Sequence, residues 1–339
     1  MGIGEAAGLF AASLWALSSI FYSRAKMTAW EMNFWKNIIA TGVFFAQLWI
    51  VKSLGSQTVF EAPIEAWCWL AGSSVIGILI GDTVYFRSVQ ILGPRRALVV
   101  ATASPIFGVI VGYFFMGDTI SLILMFGIGL TILGVGIVVG DKQAEIENPN
   151  IYPGKFVQGV LFGIGGALCQ AVGVGAAKVG MAHGCEALES SFIRMFTASI
   201  AGIYLVSINP YRYAYSKVAM EPTDEKHLID KKHTPKRENK SEAEKETAPP
   251  KLRSILTPLC DIHTMKFFIP ASLIGTWLGI WFYQMAQQYS DTAVVTTLSS
   301  TCPIFAIPFV WLLQGHRPSI KGFAGTLIAV FGIWYVVGF

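Results

Sequence analysis

Apolar residues gather along this chain into ten windows, near 4–23, 31–51, 66–89, 96–116, 120–140, 157–180, 188–208, 266–288, 292–314 and 320–338. Each is close to the ~20 residues that a helix needs to cross a bilayer, so the pattern predicts an all-α polytopic membrane protein. The polar breaks are mostly short and carry stop signals, as in Gly93-Pro94-Arg95-Arg96, Asn148-Pro149 and Gly315-His316-Arg317-Pro318. Short breaks make successive helices antiparallel neighbours. One gap differs: Asn209 to Lys266 is rich in Lys, Glu and Pro with few large apolar residues, and reads as a charged, disordered loop over 209–265. Its tail, Lys251 to His263, is able to form an amphipathic surface helix. The first window has neither a basic flank before it nor a small-residue cleavage signal after it, so it reads as a retained helix.

Composition sharpens the class. Of 339 residues 53% are apolar and only 14% charged, with a mean hydropathy of +0.55, against roughly 25% charge in soluble domains. Twelve of the 25 Lys and Arg and nine of the 21 Asp and Glu lie between Asn209 and Lys266. The remainder is too poorly charged to solvate a water-soluble body. The net charge of +4 comes with no basic stripe to track phosphates, which excludes a nucleic-acid partner. Cys68, Cys169, Cys185, Cys260 and Cys302 form no CxxC and read as packing groups.

The chain repeats itself at a constant offset of 198. Gly77, Gly81, Tyr85, Gln90, Pro105-Ile106-Phe107, Gly117, Ser121, Gly127, Gly134 and Val138-Val139 return as Gly275, Gly279, Tyr283, Gln288, Pro303-Ile304-Phe305, Gly315, Ser319, Gly325, Gly332 and Val336-Val337. A weaker echo links Glu31 and Lys36 with Glu189 and Arg194. The unit is five helices long, and an odd number of crossings sets the two copies in opposite orientations. Such inverted repeats place a substrate site near the midplane and let one half rock on the other. The predicted division is a first repeat over 1–140, a linker over 141–156 and a second repeat over 157–339.

These runs, from Tyr85-Phe86-Arg87-Ser88-Val89 through Ser104-Pro105-Ile106-Phe107 and Gly127 to Gly134, with their second copies, resemble the two EamA domains of the drug/metabolite transporter superfamily. The resemblance covers nearly all of the chain outside Asn209 to Lys266. It implies a carrier of small organic solutes with helices 1, 3, 4, 6, 8 and 9 around a central cavity and helices 5 and 10 outside. The chain departs from the pattern where the acidic residue ending the fourth helix is Asp118 in one half and His316 in the other.

Several residues are candidates for chemistry. Pro105 and Pro303 fall near the middle of helices 4 and 9, where each predicts a kink and a freed carbonyl, for packing or for lining a path. Gly77-x-x-x-Gly81 and Gly275-x-x-x-Gly279 predict close helix contact. Asp82 lies deep in helix 3, where a charge needs compensation, and Lys178, Arg95 or Arg96 are its expected partners. It reads either as a proton-coupling or ammonium-binding group or as half of a structural ion pair; its repeat mate is Ile280. By the resemblance, Trp15, Tyr85, Gln170, Trp277, Trp281, Tyr283 and Gln284 face the cavity, where aromatic faces and amides suit amphiphilic or cationic solutes. Lys36, Arg194, Glu31 and Glu189 sit nearer helix ends and read as snorkelling or inter-helix pairing groups.

The chain has no HExxH, GxSxG or Walker loop and no metal spacing among its histidines, so neither an enzyme nor a cofactor or metal site is expected. The short segments after odd-numbered helices hold Arg24, Lys26, Arg87, Arg95, Arg96, Lys142, Lys155, Arg317 and Lys321, against Lys52 and Lys178 on the other side. The positive-inside rule then puts the long loop in the cytoplasm and both termini outside. The expected function is secondary transport of small organic solutes across the plasma membrane, with protons as the candidate coupling ion and export favoured by the resemblance. The competing class is a receptor or scaffold that uses the 209–265 loop. The oligomeric state stays open.

Overall fold

A computed structural model describes residues 2–55, 61–104, 106–108, 122–139, 155–208, 255–290, 295, 298–315 and 319–337, and no strand occurs among them. Most of the 209–265 loop, together with Pro105, Asp118 and His316, lies outside the described residues. The helices are α1 (Ile3–Arg24), α2 (Ala29–Ser53), α3 (Ile64–Leu92), α4 (Pro94–Ala101) and α5 (Leu122–Val139). They continue as α6 (Phe156–Ala182), α7 (Ala187–Ile208), α8 (Ile262–Tyr289), α9 (Cys302–Gln314) and α10 (Ile320–Val337).

Local chemistry sets several boundaries. Thr28 and Glu31 close a capping box at the start of α2, Thr28 N donating to Glu31 Oε2 at 2.8 Å. Gly93 turns the chain at φ 82° and Pro94 opens α4, where its missing N–H costs nothing. α8 begins four residues before its predicted window because the Asp261 carboxylate accepts from His263 N at 3.0 Å and from the Thr264 hydroxyl at 2.6 Å. That cap corrects one expectation: the described part of the Lys251 to His263 tail is a 3-10 turn over Thr257–Cys260 and the first residues of α8, not an amphipathic helix.

Among the described residues six helices, α1, α2, α3, α6, α7 and α8, are long and apolar enough to cross a membrane. The fifth, ninth and tenth windows contain shorter apolar helices, Phe126–Val138, Cys302–Leu313 and Ile320–Gly332. The fourth and ninth windows are not continuous helices. α4 stops at Ala101 and the chain turns at Thr102-Ala103 before resuming; the second half turns at Ser300-Thr301, 198 residues later, before α9. Pro303 therefore opens a helix where it removes no hydrogen bond, and the expected mid-helix kink is replaced by a break just upstream.

α3 and α8 are interrupted in another way. α3 widens into π-helix over Ser74–Asp82, and α8 does so over Ser272–Leu278, again starting 198 residues apart. The looser π winding displaces backbone carbonyls from their usual partners.

Packing follows the same pattern: α1 lies on α8 and α9, α6 on α3, α2 on α7, and α5 on α10. The α5–α10 crossing is close enough that a methyl on Gly134 would run into Ala329 backbone and one on Gly332 into Thr131 backbone. The distribution of polarity is inside-out for a soluble protein. Trp49, Ile132, Leu161, Tyr204, Leu312 and Phe331 are exposed, while Asn33, Lys36, Asn37, Arg194 and Gln284 are buried. An apolar exterior over a polar interior is what a lipid solvent demands, and the protein is a multi-pass membrane protein.

Candidate functional site

The π turn of α3 and the second helix meet in a polar cluster. α2 begins at Ala29, so Lys36 and Asn33 lie one to two turns inside it and face α3. The Asn33 carboxamide donates to Ile78 O at 2.8 Å, Leu79 O at 2.9 Å and the Thr83 hydroxyl at 2.7 Å. It thereby satisfies carbonyls that the π winding displaces. Asn37 donates to Asn33 Oδ1 at 3.1 Å, and Lys36 Nζ donates to Asn37 Oδ1 at 2.9 Å.

Lys36 Nζ also lies 2.7 Å from Asp82 Oδ2. This answers what compensates Asp82, and it is not Lys178, Arg95 or Arg96. Lys178 is exposed on α6, and Arg95 and Arg96 are buried at the start of α4, Arg96 over the Phe156 ring. Lys36 is 2% exposed and Asp82 22%, so the carboxylate is the member of the pair with access to space outside the protein. Of the two readings of the helix-end charges, snorkelling fails, since Glu31, Lys36, Glu189 and Arg194 are each below 5% exposed, and inter-helix pairing holds for Lys36. Glu31 serves the capping box, and Glu189 Oε1 accepts from Ala62 N at 3.2 Å.

A second group of side chains gathers around Arg194 of α7. Ser74 Oγ, at the start of the π turn, donates to Arg194 O. The guanidinium places Nη1 3.5 Å from Gln284 Oε1, and Gln284 Nε2 donates to Ser190 Oγ at 2.7 Å. Gln170 of α6 turns its Oε1 toward Gly77, where α3 and α6 come so close that a methyl on Gly173 would sit 2.8 Å from Gly77 Cα. Both groups of side chains border the same π turn of α3, the first at Ile78, Leu79 and Asp82 and the second at Ser74 and Gly77.

α1 supplies the aromatic wall. Trp15 Nε1 donates to Gly275 O at 3.0 Å, filling a carbonyl of the second π turn, and its ring centroid lies 4.9 Å from that of Tyr283. The Tyr85 hydroxyl and Ser19 Oγ are 3.1 Å apart. Tyr22 OH bonds the Thr276 hydroxyl at 2.9 Å.

Of the residues singled out from sequence, Trp15 and Tyr283 come together through α1 and α8, Gln284 turns to Arg194 and Ser190 of α7, Asp82 ends the α3 π turn and Gln170 faces Gly77 within it. Trp281 instead packs with Trp277 and Ile280 against the apolar cluster between α2 and α7. Pro303 stands at the break before α9, and Pro105 lies outside the described residues. Sequence reasoning undervalued Lys36 and Arg194 and passed over Asn33, Asn37 and Ser190. The available signal was a run of polar residues, Asn33, Lys36 and Asn37, at helical spacing inside an apolar window. The described residues contain no group of three or more His, Cys, Asp or Glu suited to a metal.

An apolar groove of about 590 Å³ lies apart from this cluster, beside the second-half break, lined by Leu130, Leu298, Thr301, Leu327, Phe331 and Trp334.

The family model described as the EamA-like transporter family matches residues 2–140 and 249–338. A search of curated proteins finds no match. A solved structure, described only as a crystal structure of a protein, superposes with a TM-score of 0.60 over 98% of this chain and 95% of that one, at 13% identity. At that identity the likeness concerns the fold alone.

Proposed function

The chain belongs to the EamA-like transporter family, and on that premise we propose that it is a secondary transporter moving small organic solutes, such as amino acids, metabolites or amphiphilic compounds, by alternating access. The reading takes residues 1–140 and 157–339 as two five-helix repeats of opposite orientation joined by 141–156, lying in the plasma membrane and working in the export direction. One observation carries it: two kinds of helix interruption, the π turns at Ser74–Asp82 and Ser272–Leu278 and the breaks at Thr102-Ala103 and Ser300-Thr301, recur at one register.

Interrupted helices suit alternating access because a segment can move about its break while the rest of the helix keeps its packing. The recurrence of the same features 198 residues apart supports a repeat, and the exchange of α1 and α6 between halves, each packing on the other half's third helix, supports a two-fold relation. Gln90 and Gln288, repeat mates, do matching work: Gln90 Nε2 donates to Met27 O at 2.8 Å before α2, and Gln288 Oε1 accepts from Ala187 N at 3.1 Å at the start of α7. In this reading Trp15, Asp82, Tyr85, Gln170, Tyr283 and Gln284 contribute to the solute path, with Pro303 at the broken ninth helix. Asp82, paired but partly accessible, is the group that takes up the coupling proton.

Flux of amino acids, organic acids, nucleosides and sugars into and out of proteoliposomes, with and without a pH gradient, tests the proposal. It expects saturable exchange of at least one class, and pH-driven accumulation that Asp82→Asn abolishes while exchange persists. Absence of flux for every class, from protein that melts cooperatively, would contradict it.

A further inference from the structure

The charges that border the π turn of α3 do not cancel. Lys36 and Asp82 form one pair at 2.7 Å. Arg194, 4% exposed, has only the 3.5 Å approach of Nη1 to Gln284 Oε1 in its side-chain hydrogen bonding, and its buried Nε has no hydrogen-bond partner. Gln170 Oε1 is also buried without a partner. Gln170 Oε1 and Arg194 Nη2 converge on Gly77, standing 3.5 and 3.6 Å from the point a Cβ there would occupy. Of the other buried charges, Glu31 closes its capping box, Glu189 accepts from Ala62 N, and Arg95 and Arg96 stand at the start of α4. Among the described residues, the side chains shown bordering the α3 π turn therefore include two cations, Lys36 and Arg194, and one carboxylate, Asp82.

An excess cation at this depth, with a donor unfilled, is a standing cost that an anion removes. We propose that Arg194 is the docking group for the anionic end of an organic monoanion, a carboxylate, whose binding brings the cluster to neutrality. This assignment of substrate class rests on the transporter reading above. The guanidinium fork matches a carboxylate through parallel N–H bonds. The Gln170 carboxamide adds a donor by rotating its nitrogen to the side where its oxygen now lies. Tyr283, next to Gln284 in the chain, pairs with Trp15 at 4.9 Å between ring centroids, and the half-buried Trp15 ring is the aromatic surface offered to the body of the solute. Charge counting then selects among solutes: a zwitterion leaves the excess in place, a dianion reverses it, and a monocarboxylate cancels it. It also favours exchange, because the empty carrier must reorient with the excess charge uncompensated.

The test titrates full-length protein in detergent with benzoate and 3-phenylpropionate, their amides, and phenyl phosphate, following Tm. The acids are expected to raise Tm and to bind at least tenfold more tightly than the amides of the same shape. Asp82→Asn, which leaves two cations without a carboxylate, tightens acid binding further. Arg194→Gln lowers it to the level of the amide, and Arg194→Lys recovers part of it. Equal binding of acid and amide, binding of neither, tighter binding of phenyl phosphate than of benzoate, or weaker acid binding in Asp82→Asn each overturns the proposal. The opposite signs expected of the two charge variants, and the wild-type comparison of acid with amide, keep the test decisive if one variant fails to fold. Acid binding without flux in proteoliposomes would remove the transporter reading and leave the anion site. Flux with no preference for acids would do the reverse.

Discussion

The two π turns occupy the same register and are held in different ways. In α3 the donors come from α2, where Asn33 spans Ile78 O, Leu79 O and Thr83, and the turn ends in a charge, Asp82, paired with Lys36. In α8 they come from α1, where Trp15 reaches Gly275 O and Tyr22 reaches Thr276 and, at 3.4 Å, Ser272; the residue equivalent to Asp82 is Ile280. A duplicated backbone irregularity thus recurs with unlike side chains around it. The lesson is that the displaced carbonyls need donors, while the identity of the donor is free to diverge. One turn has become the polar, charged side of the cluster and the other its aromatic side.

Breaking the charged side should have the largest effect. Lys36→Met leaves Asp82 without its cation, and removing one partner of a buried pair costs about 3–5 kcal/mol, discounted toward the lower end because Asp82 is partly accessible. Adding Asp82→Leu should recover most of that loss, since an apolar pair of similar volume is tolerated in such places. A double variant melting no higher than Lys36→Met would show that the two side chains do not act as a pair.

Next come the donors themselves. Asn33→Leu removes a carboxamide that serves two buried carbonyls and a hydroxyl and should cost about 1–3 kcal/mol. Tyr22→Phe, the matching change beside the second turn, removes only a hydroxyl bonded to two other hydroxyls, at about 1 kcal/mol. Chemical denaturation of both in one detergent checks the order; a larger loss for Tyr22→Phe would reverse the account of which turn depends more on its donor.

Much of the fold was legible in the chain. Six of the apolar windows match long spanning helices to within about four residues, and the 198-residue register anticipates where irregularities recur. The π turns themselves are not predicted, because Ser74–Asp82 and Ser272–Leu278 sit within continuous apolar windows and their glycines, Gly77, Gly81 and Gly275, read equally as sites of close helix contact. Proline marked the right place in helix 9 with the wrong consequence: Pro303 suits a first helical turn as well as a kink, and the turn at Ser300-Thr301 decides between them. Lys36 reads from sequence as a snorkelling or inter-helix pairing group; it pairs with Asp82, a partner the sequence did not name. Its predicted window starts at residue 31, which puts it at the edge, whereas the Thr28 cap starts the helix at Ala29 and carries Lys36 to the level of Asp82. Which helix then faces Asp82 is a matter of tertiary packing that no local pattern encodes.

The smallest effect is expected outside the membrane, at the entry to α8. The hydrogen bond from the Thr264 hydroxyl, aided by His263 N, holds the Asp261 carboxyl below the usual carboxylate range. A folded value below the unfolded one stabilises the protein fully above the ordinary carboxylate pKa, and the gain is lost as pH falls through the lowered value. The Tm difference between wild type and Asp261→Ala should accordingly be present at neutral pH and close in acid. A difference that does not change with pH would mean that the cap acts without its charge.

The central claim is that the two broken helices open one polar cluster to opposite sides in turn. Cysteines placed singly at Ala103 and Ser300, in a background without other cysteines, report this through their labelling by a membrane-impermeant maleimide in oriented proteoliposomes, with and without an imposed gradient of transported solute. The account predicts that the gradient speeds labelling at one position and slows it at the other, and that reversing the gradient exchanges them. Rates that rise and fall together, or that ignore the gradient, would contradict it.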